Sequence, residues 1–288
     1  MELLVTIIIL ALIFDYINGF HDAANSIATI VSTKVLTPFQ AVLWAAFFNF
    51  VAFVVAKYII GGFGIANTVS KTVVEQYITL PIILAGIIAA ISWNLITWWK
   101  GIPSSSSHTL IGGFAGAAIM ANGFEAIQLN IILKIAAFIF LAPFIGMVIA
   151  FGFTLLVLYI CRRANPHTAE MWFKRLQLVS AHSMGLGMGI NSISDLPDWV
   201  AFSCFTAISL GTMSGGWKIV KTMGTRITKV TPLEGMVAET AGAFTLYITE
   251  MLKIPVSTTH TITGAIIESS LTNTCCIRNL FHFTRNKL

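Results

Sequence analysis

Long apolar runs separated by short polar phrases set the pattern of the chain. Residues 78–99 (ITLPIILAGIIAAISWNLITWW) contain no charge, 39–64 contain only Lys57, and 127–160 contain only Lys134. A helix needs about 20 apolar residues to cross a bilayer. The pattern predicts spans near 3–32, 39–62, 78–99, 108–122, 127–160, 176–194, 198–215 and 233–251. These spans predict an all-α polytopic membrane protein.

Two polar phrases interrupt the apolar runs in nearly the same words. KGIPSSSSHTLIGG occupies 100–113 and LKIPVSTTHTITGA occupies 252–265. Ile102-Pro103 aligns with Ile254-Pro255, Ser105 with Ser257, His108 with His260, Thr109 with Thr261 and Gly112 with Gly264, all at the His260 − His108 offset of 152. TPFQA at 37–41 against TPLEG at 231–235 is a weaker echo. Unsatisfied polar groups are costly in hydrocarbon, so a hydroxyl run there lines a cavity or is buried in protein. Pro suits the first turn of a helix and Ser and Thr cap helix N-termini. Each phrase therefore reads as a re-entrant turn opening a short helix. Its free N–H groups, hydroxyls and positive dipole end would face one point, an arrangement that binds an anion. A single phrase would read as helix–helix hydrogen bonding; a related pair reads as a site.

The first span adds a polar stripe. Asp15, Asn18, Asp22, Asn25, Thr29 and Ser32 follow one another at spacings of three and four, which places them on one helical face. Intramembrane carboxylates mark functional sites by default, although Asp15 also fits a structural hydrogen-bonder near an interface or a neighbouring helix. The stripe has no Arg or Lys to balance an anion, so a hard cation, Na⁺ or H⁺, is expected to bind with it and offset Asp22. Glu239, in MVAETAGAF, is a second intramembrane carboxylate suited to the same task.

Composition sharpens orientation more than function. The chain is 56% hydrophobic and only 10% charged, against about 25% charged in soluble domains. Lys34, Lys100, Arg162, Arg163, Lys174, Arg175, Lys218, Lys221, Arg226 and Lys229 fall in loops on one side if each span crosses once. Lys71, Glu75, Glu125, Asp195, Asp198 and Lys253 fall on the other. The positive-inside rule makes the first group cytoplasmic and the N-terminus external. The serine phrase then follows a helix ending inside and the STTH phrase one ending outside, the inverted-topology repeat of secondary transporters. The net charge of +5 reflects this loop bias and indicates no nucleic-acid partner. MELLVTIIIL lacks a basic flank and reads as a retained span, not a cleaved signal. Cys161, Cys204, Cys275 and Cys276 have no metal or redox spacing. Ser beside His108 or His260 raises an intramembrane serine hydrolase, but no Gly-x-Ser-x-Gly elbow is present. Metal ligation by the two histidines has no supporting cluster, and each histidine is expected to pack or cap behind its hydroxyl run.

NGFHDAANSIATIVSTKVLTP, WNLITWWKGIPSSSSHTLIGG, GGWKIVKTMGTRITKVTP, AETAGAF and PVSTTHTITGAII together resemble the inorganic phosphate transporter (PiT) family, over most of residues 1–267. The resemblance implies an inverted-repeat carrier in the cell membrane that moves phosphate with Na⁺ or H⁺, with no other cofactor. A sulfate-carrying branch of the family is the alternative. It implies anion and cation ligands at Asp22 and Asn25, with Na⁺ held through Asp22 and Glu239. It further implies hydroxyl ligands at Ser104, Ser105, Ser106, Ser107 and Thr109 in the first loop, and at Ser257, Thr258, Thr259 and Thr261 in the second. The domain reading is a first repeat over 1–161, a cytoplasmic loop over 162–175, a second repeat over 176–267 and a polar tail over 268–288.

Two features depart from the family pattern. Its second half carries His-Gly-x-Asn-Asp-Ala-Gln-Lys before a Met-Gly step, whereas here His182 passes straight to Ser183-Met184-Gly185, seven residues shorter. The tail ESSLTNTCCIRNLFHFTRNKL is polar and basic where the family continues into a further apolar span, so one flank of the second repeat is expected to face lipid or a partner subunit in a homo-oligomer. Removing seven residues shortens a helix by about two turns. Gly185, Gly187 and Gly189 weaken it further, at about 1 kcal/mol each relative to Ala. The sequence therefore predicts that this chain keeps half of a site and transports poorly or not at all, as a degenerate copy first, or else through a sequence error or as a specialised half-site binder, which phosphate uptake into proteoliposomes checks. Robust cation-coupled uptake by this chain would show the missing motif to be dispensable.

Overall fold

The computed structural model describes residues 1–55, 71–162, 164–190, 198–227, 230–251 and 256–285. They form ten α-helices: α1 Glu2–Ser32, α2 Pro38–Val55, α3 Leu80–Lys100, α4 Ser106–Asn122, α5 Leu129–Cys161, α6 Pro166–Ile190, α7 Asp198–Ser214, α8 Trp217–Lys221, α9 Pro232–Met251 and α10 Thr258–Arg285. A π-helical turn, Thr222–Ile227, follows α8. Helices α1, α3 and α5 are long and apolar enough to cross a membrane. Their outward faces carry large apolar residues such as Phe140, Phe144 and Val148 on α5, while the interior is rich in alanine, including Ala24, Ala90, Ala142, Ala238 and Ala265. Small residues let backbones approach where lipid removes the hydrophobic drive between helices.

The packing is reciprocal between two halves. Helix α1 packs on α3 and α7, and α6 packs on α9 and α2. Helix α3 packs on α4 as α9 packs on α10, and α2 meets α7. Exchanging α1 with α6, α2 with α7, α3 with α9 and α4 with α10 maps these contacts onto one another and the α2–α7 contact onto itself, as a repeat requires. Helix α5 joins the halves and lies against α9 and α10. There Gly264 sits over the backbone of Pro143 and Gly146 over that of Thr261, so close that a Cβ would come within 2.6 and 2.8 Å of carbonyl oxygens.

The sequence pattern misplaced several boundaries. Helix α6 starts at Pro166 rather than near 176. Its charged first turns stay helical, with Lys174 Nζ 2.9 Å from Glu170 Oε1 one turn away and the Arg175 guanidinium over the Trp172 ring. Charge ended the hydropathic pattern there without ending the helix. The backbone also remains helical through Gly185, Gly187 and Gly189 to Ile190, while the side chains of 181–190 lie outside the described residues. The basic stretch after Gly216 is no open loop: α8 and the π turn pack on α1, and Ile219, Val220 and Met223 are buried. The tail is helical to Arg285. Residues 56–62 of the second predicted span lie outside the described residues.

The TPFQA and TPLEG echo is local chemistry rather than repeat register, because it opens α2 and α9, which do not correspond. Both segments form a capping box. The Thr37 backbone N–H donates to Gln40 Oε1 at 3.1 Å and the Gln40 N–H to Thr37 Oγ1 at 3.4 Å. The Thr231 N–H donates to Glu234 Oε2 at 2.7 Å and the Glu234 N–H to Thr231 Oγ1 at 3.4 Å.

The α3–α4 contact gives a direct test of the packing. A Cβ on Gly113 would meet the Gly86 carbonyl oxygen at 2.5 Å, whereas one on Gly116 meets nothing within 4 Å. Gly113→Ala is expected to destabilise the detergent-solubilised protein by about 1–3 kcal/mol. Gly116→Ala is expected to be neutral or to stabilise by up to about 1 kcal/mol. Thermal unfolding of the two variants distinguishes them, and equal effects would contradict the packing.

Candidate functional site

Each hydroxyl phrase breaks a helix and starts another. Helix α3 ends at Lys100, where Gly101 takes the left-handed conformation at φ 68°, a backbone geometry that favours glycine at a helix C-terminus. The chain turns through Pro103 and re-enters as α4. Ser105 caps α4: its Oγ accepts from the His108 backbone N–H at 3.4 Å and bonds His108 Nδ1 at 2.8 Å. The repeat mate does the same at α10, where Ser257 Oγ accepts from the His260 N–H at 3.1 Å. The two tips meet. Thr259 Oγ1 donates to the Ser104 carbonyl at 3.2 Å, and the His108 and His260 rings stack with centroids 6.2 Å apart. Two helix N-termini, each with unpaired N–H groups and a positive dipole end, thus converge from the two halves. The histidine rings pack on each other as the sequence suggested, but the capping is done by Ser105 and Ser257.

Helix α1 crosses this junction with its polar stripe. Asn25 Nδ2 donates to Asp22 Oδ1 at 3.0 Å, to Thr259 Oγ1 at 3.0 Å and to Thr258 Oγ1 at 3.3 Å. On the other side, Ser104 Oγ donates to Thr97 Oγ1 at 3.0 Å. Thr97 Oγ1 in turn donates to the Asn94 carbonyl at 3.0 Å, which also receives His21 Nε2 at 2.7 Å. The bonds close a ring from α1 through both tips to α3 and back to α1.

The expected ligands separate into groups. Asp22, Asn25, Ser104, Thr258 and Thr259 are brought together directly. Ser105 and Ser257 stand behind them as caps. Ser106 is buried with its hydroxyl unpartnered, whereas Ser107 is exposed. The hydroxyls of Thr109 and Thr261 are taken up by the carbonyls of Ser105 and Ser257 at 2.8 and 2.9 Å. Glu239 is fully buried but sits one turn further along the stripe, where Thr29 donates to its Oε1 and Ser180 to its Oε2, the latter at 2.7 Å. Gln177 belongs to the same cluster, with Thr33 Oγ1 donating to its Oε1 at 3.0 Å. Asp15 accepts a hydrogen bond from the Cys204 thiol, in keeping with a structural role between helices.

Participants that escaped the sequence include His21, Thr33, Asn94, Thr97, Gln177 and Ser180. Asn94 and Thr97 carried a signal, as two of the few polar residues in an uncharged span. Gln177 and Ser180 fell at the start of the predicted span 176–194 with no pattern to mark them. A groove of about 500 Å³ opens beside the first tip, lined by Trp93, Ser104, Ser105, His108, Thr109 and His260 among others. Chemically, the junction offers hydroxyls, an amide and helix N-termini to an oxyanion, with the Asp22 carboxylate on the stripe and Glu239 of α9 bonded to it through Thr29.

Residues 18–285 match the model of the Phosphate transporter family. A protein of Rhizobium meliloti (strain 1021) named "Probable low-affinity inorganic phosphate transporter" is 47% identical over 286 residues, covering 92% of this chain and 84% of its own length. One of the same name from Bacillus subtilis (strain 168) is 42% identical, covering 92% and 85%. A solved structure named "The sodium-dependent phosphate transporter" superposes with TM-score 0.78 at 23% identity, covering 92% of this chain and 88% of that one. That likeness concerns the fold.

The capping geometry makes its own forecast. Ser105→Ala and Ser257→Ala are each expected to lower stability by about 0.5–2 kcal/mol, with Asn substitutions restoring most of it. Ser107→Ala is expected to stay within about 0.5 kcal/mol of the parent. Thermal unfolding in detergent checks the ranking.

Proposed function

Because the chain belongs to the phosphate transporter family, we propose that it carries inorganic phosphate across the membrane and holds it at the junction of the two tips and α1. One observation carries the reading: the capped N-termini of two repeat-related helices converge, within hydrogen-bonding distance of each other, on the Asp22–Asn25 segment. An oxyanion there meets helix dipoles and donors without a bound Lys or Arg. Hydrogen phosphate can also donate its hydroxyl to the Asp22 carboxylate, which sulfate cannot. The chemistry favours phosphate over sulfate on that ground.

The coupling ion in this proposal is Na⁺. Oxygen ligands from Asp22 and Asn25, and from Glu239, Thr29 and Ser180, suit a hard monovalent cation, and a positive ion beside Asp22 offsets the repulsion between carboxylate and substrate. The solved neighbour is itself named as sodium-dependent. Alternating access follows from the architecture: two halves of reciprocal packing rock about a shared midplane site.

Thr259 and Thr261 separate a site from a structural hydroxyl run. Thr259→Val removes a hydroxyl that faces Asn25 and is expected to weaken phosphate binding by about 1–3 kcal/mol. Thr261→Val removes one already held by its own helix and is expected to change affinity less than about twofold. Asp22→Asn is expected to flatten the Na⁺ dependence of phosphate binding while leaving the protein folded. Equilibrium binding of radiolabelled phosphate, with and without Na⁺, reads all three. Equal effects at 259 and 261, or an unchanged Na⁺ dependence in Asp22→Asn, would contradict the assignment.

A further inference from the structure

Along the seam between α1 and α3, four buried acceptor atoms have no partner among the described residues: Asn18 Oδ1, His21 Nδ1, Asn25 Oδ1 and Asn94 Oδ1. The first three follow one another on α1 at spacings of three and four residues and therefore share a face. Asn94 on α3 meets this face at His21, through the 2.7 Å bond from the ring to its backbone carbonyl. Its amide nitrogen is unpartnered as well, so no bond holds its side-chain oxygen away from the seam. Asn94 is 0% exposed, Asn25 1% and His21 3%.

The hydrogen bonds already made fix what these atoms offer. A carbonyl can only accept, so His21 Nε2 carries the hydrogen, and the neutral ring leaves Nδ1 as a lone pair. Asn25 donates through Nδ2 to the Asp22 carboxylate, which leaves its Oδ1 as the free acceptor. The seam thus presents amide oxygens and an imidazole lone pair next to a carboxylate. A bare anion is repelled by such a lining. A cation is suited to it, and Asp22, bonded to Asn25, supplies the neighbouring charge.

We propose that the α1–α3 seam is a sodium subsite in which Asn94 Oδ1 is a ligand from α3, opposite Asn18 and Asn25 on α1. His21 is a positioning residue that holds Asn94 through its carbonyl. The proposal rests on the cation-coupled phosphate reading and adds a ligand from the helix that leads into the first hydroxyl tip. Because Asn94 is linked through Thr97 to Ser104, a sodium ion in the seam also fixes the tip that meets Thr259. Sodium and phosphate affinities are thereby coupled through α3.

Calorimetric titration of Na⁺ onto the full detergent-solubilised chain tests it, with choline holding ionic strength constant and no phosphate present. Wild-type protein is expected to give saturable Na⁺ binding. Asn94→Leu is expected to weaken it by about tenfold or more, the scale of loss seen when a supporting group is removed from a metal site. Asn94→Asp keeps an oxygen ligand and is expected to retain Na⁺ binding. Asn18→Ala, at the half-buried end of the seam, is expected to weaken it as well, which keeps the test decisive if Asn94→Leu folds poorly. Wild-type Na⁺ affinity in both Asn94→Leu and Asn18→Ala would overturn the proposal and leave Asn94 a packing residue. So would loss in Asn94→Asp as complete as in Asn94→Leu. A wild-type chain that binds phosphate but never Na⁺ overturns the subsite while sparing the phosphate reading. A chain that binds Na⁺ but no phosphate overturns the phosphate reading instead.

Discussion

Polar backbone and hydroxyl groups inside a bilayer must be satisfied by protein or ligand, because no water is there to do it. The distinctive features of this chain follow from how that constraint is met at two broken helices. Ser105 and Ser257 satisfy the first turns of α4 and α10. Thr259 satisfies the exposed carbonyl of the opposite tip. Asn25 binds the hydroxyls of Thr258 and Thr259. Several buried groups left unpaired, at Ser106, Asn18, Asn25 and Asn94, surround the same junction. These are the groups that the proposed phosphate and cation would satisfy.

The ring of hydrogen bonds has a mechanical consequence. Helix α1 is bonded to one tip through Asn25 and, through His21 and Asn94, to the helix that leads into the other. Movement of either half against the other must break or slide the bonds that Thr259 makes with Asn25 and Ser104, so a ligand that replaces them shifts the balance between arrangements by its differential affinity for each. The halves are not equally enclosed. Gly264 of α10 lies against Pro143 of α5, whereas its repeat mate Gly112 on α4 has no described atom within 4 Å of a Cβ position. The first tip is flanked by an open groove.

Much of this was legible in the sequence because it was written as repetition and spacing. The 152-residue offset identified the paired tips, and the spacing of Asp22 and Asn25 placed them on one face. What stayed hidden was written in single residues whose meaning depends on a distant partner. Asn94 matters because His21 is opposite it, and Gln177 and Ser180 because Glu239 is. The basic turn of α6 and the stretch after Gly216 misled for a different reason. Hydropathy reports contact with lipid, and neither the charged start of a helix nor a π turn packed on α1 produces an unbroken apolar run. The TPFQA and TPLEG echo looked like repeat register and proved to be two independent capping boxes, since the same local chemistry starts any helix.

The central claim is that the two tips and Asp22–Asn25 form one site for hydrogen phosphate. Calorimetric titration of phosphate onto the purified chain in saturating Na⁺, followed by the same titration in excess sulfate, tests it most directly. The account predicts saturable phosphate binding that sulfate leaves nearly unchanged, because sulfate has no proton to give Asp22. Absence of phosphate binding under every cation and pH, or equal competition by sulfate, would contradict it.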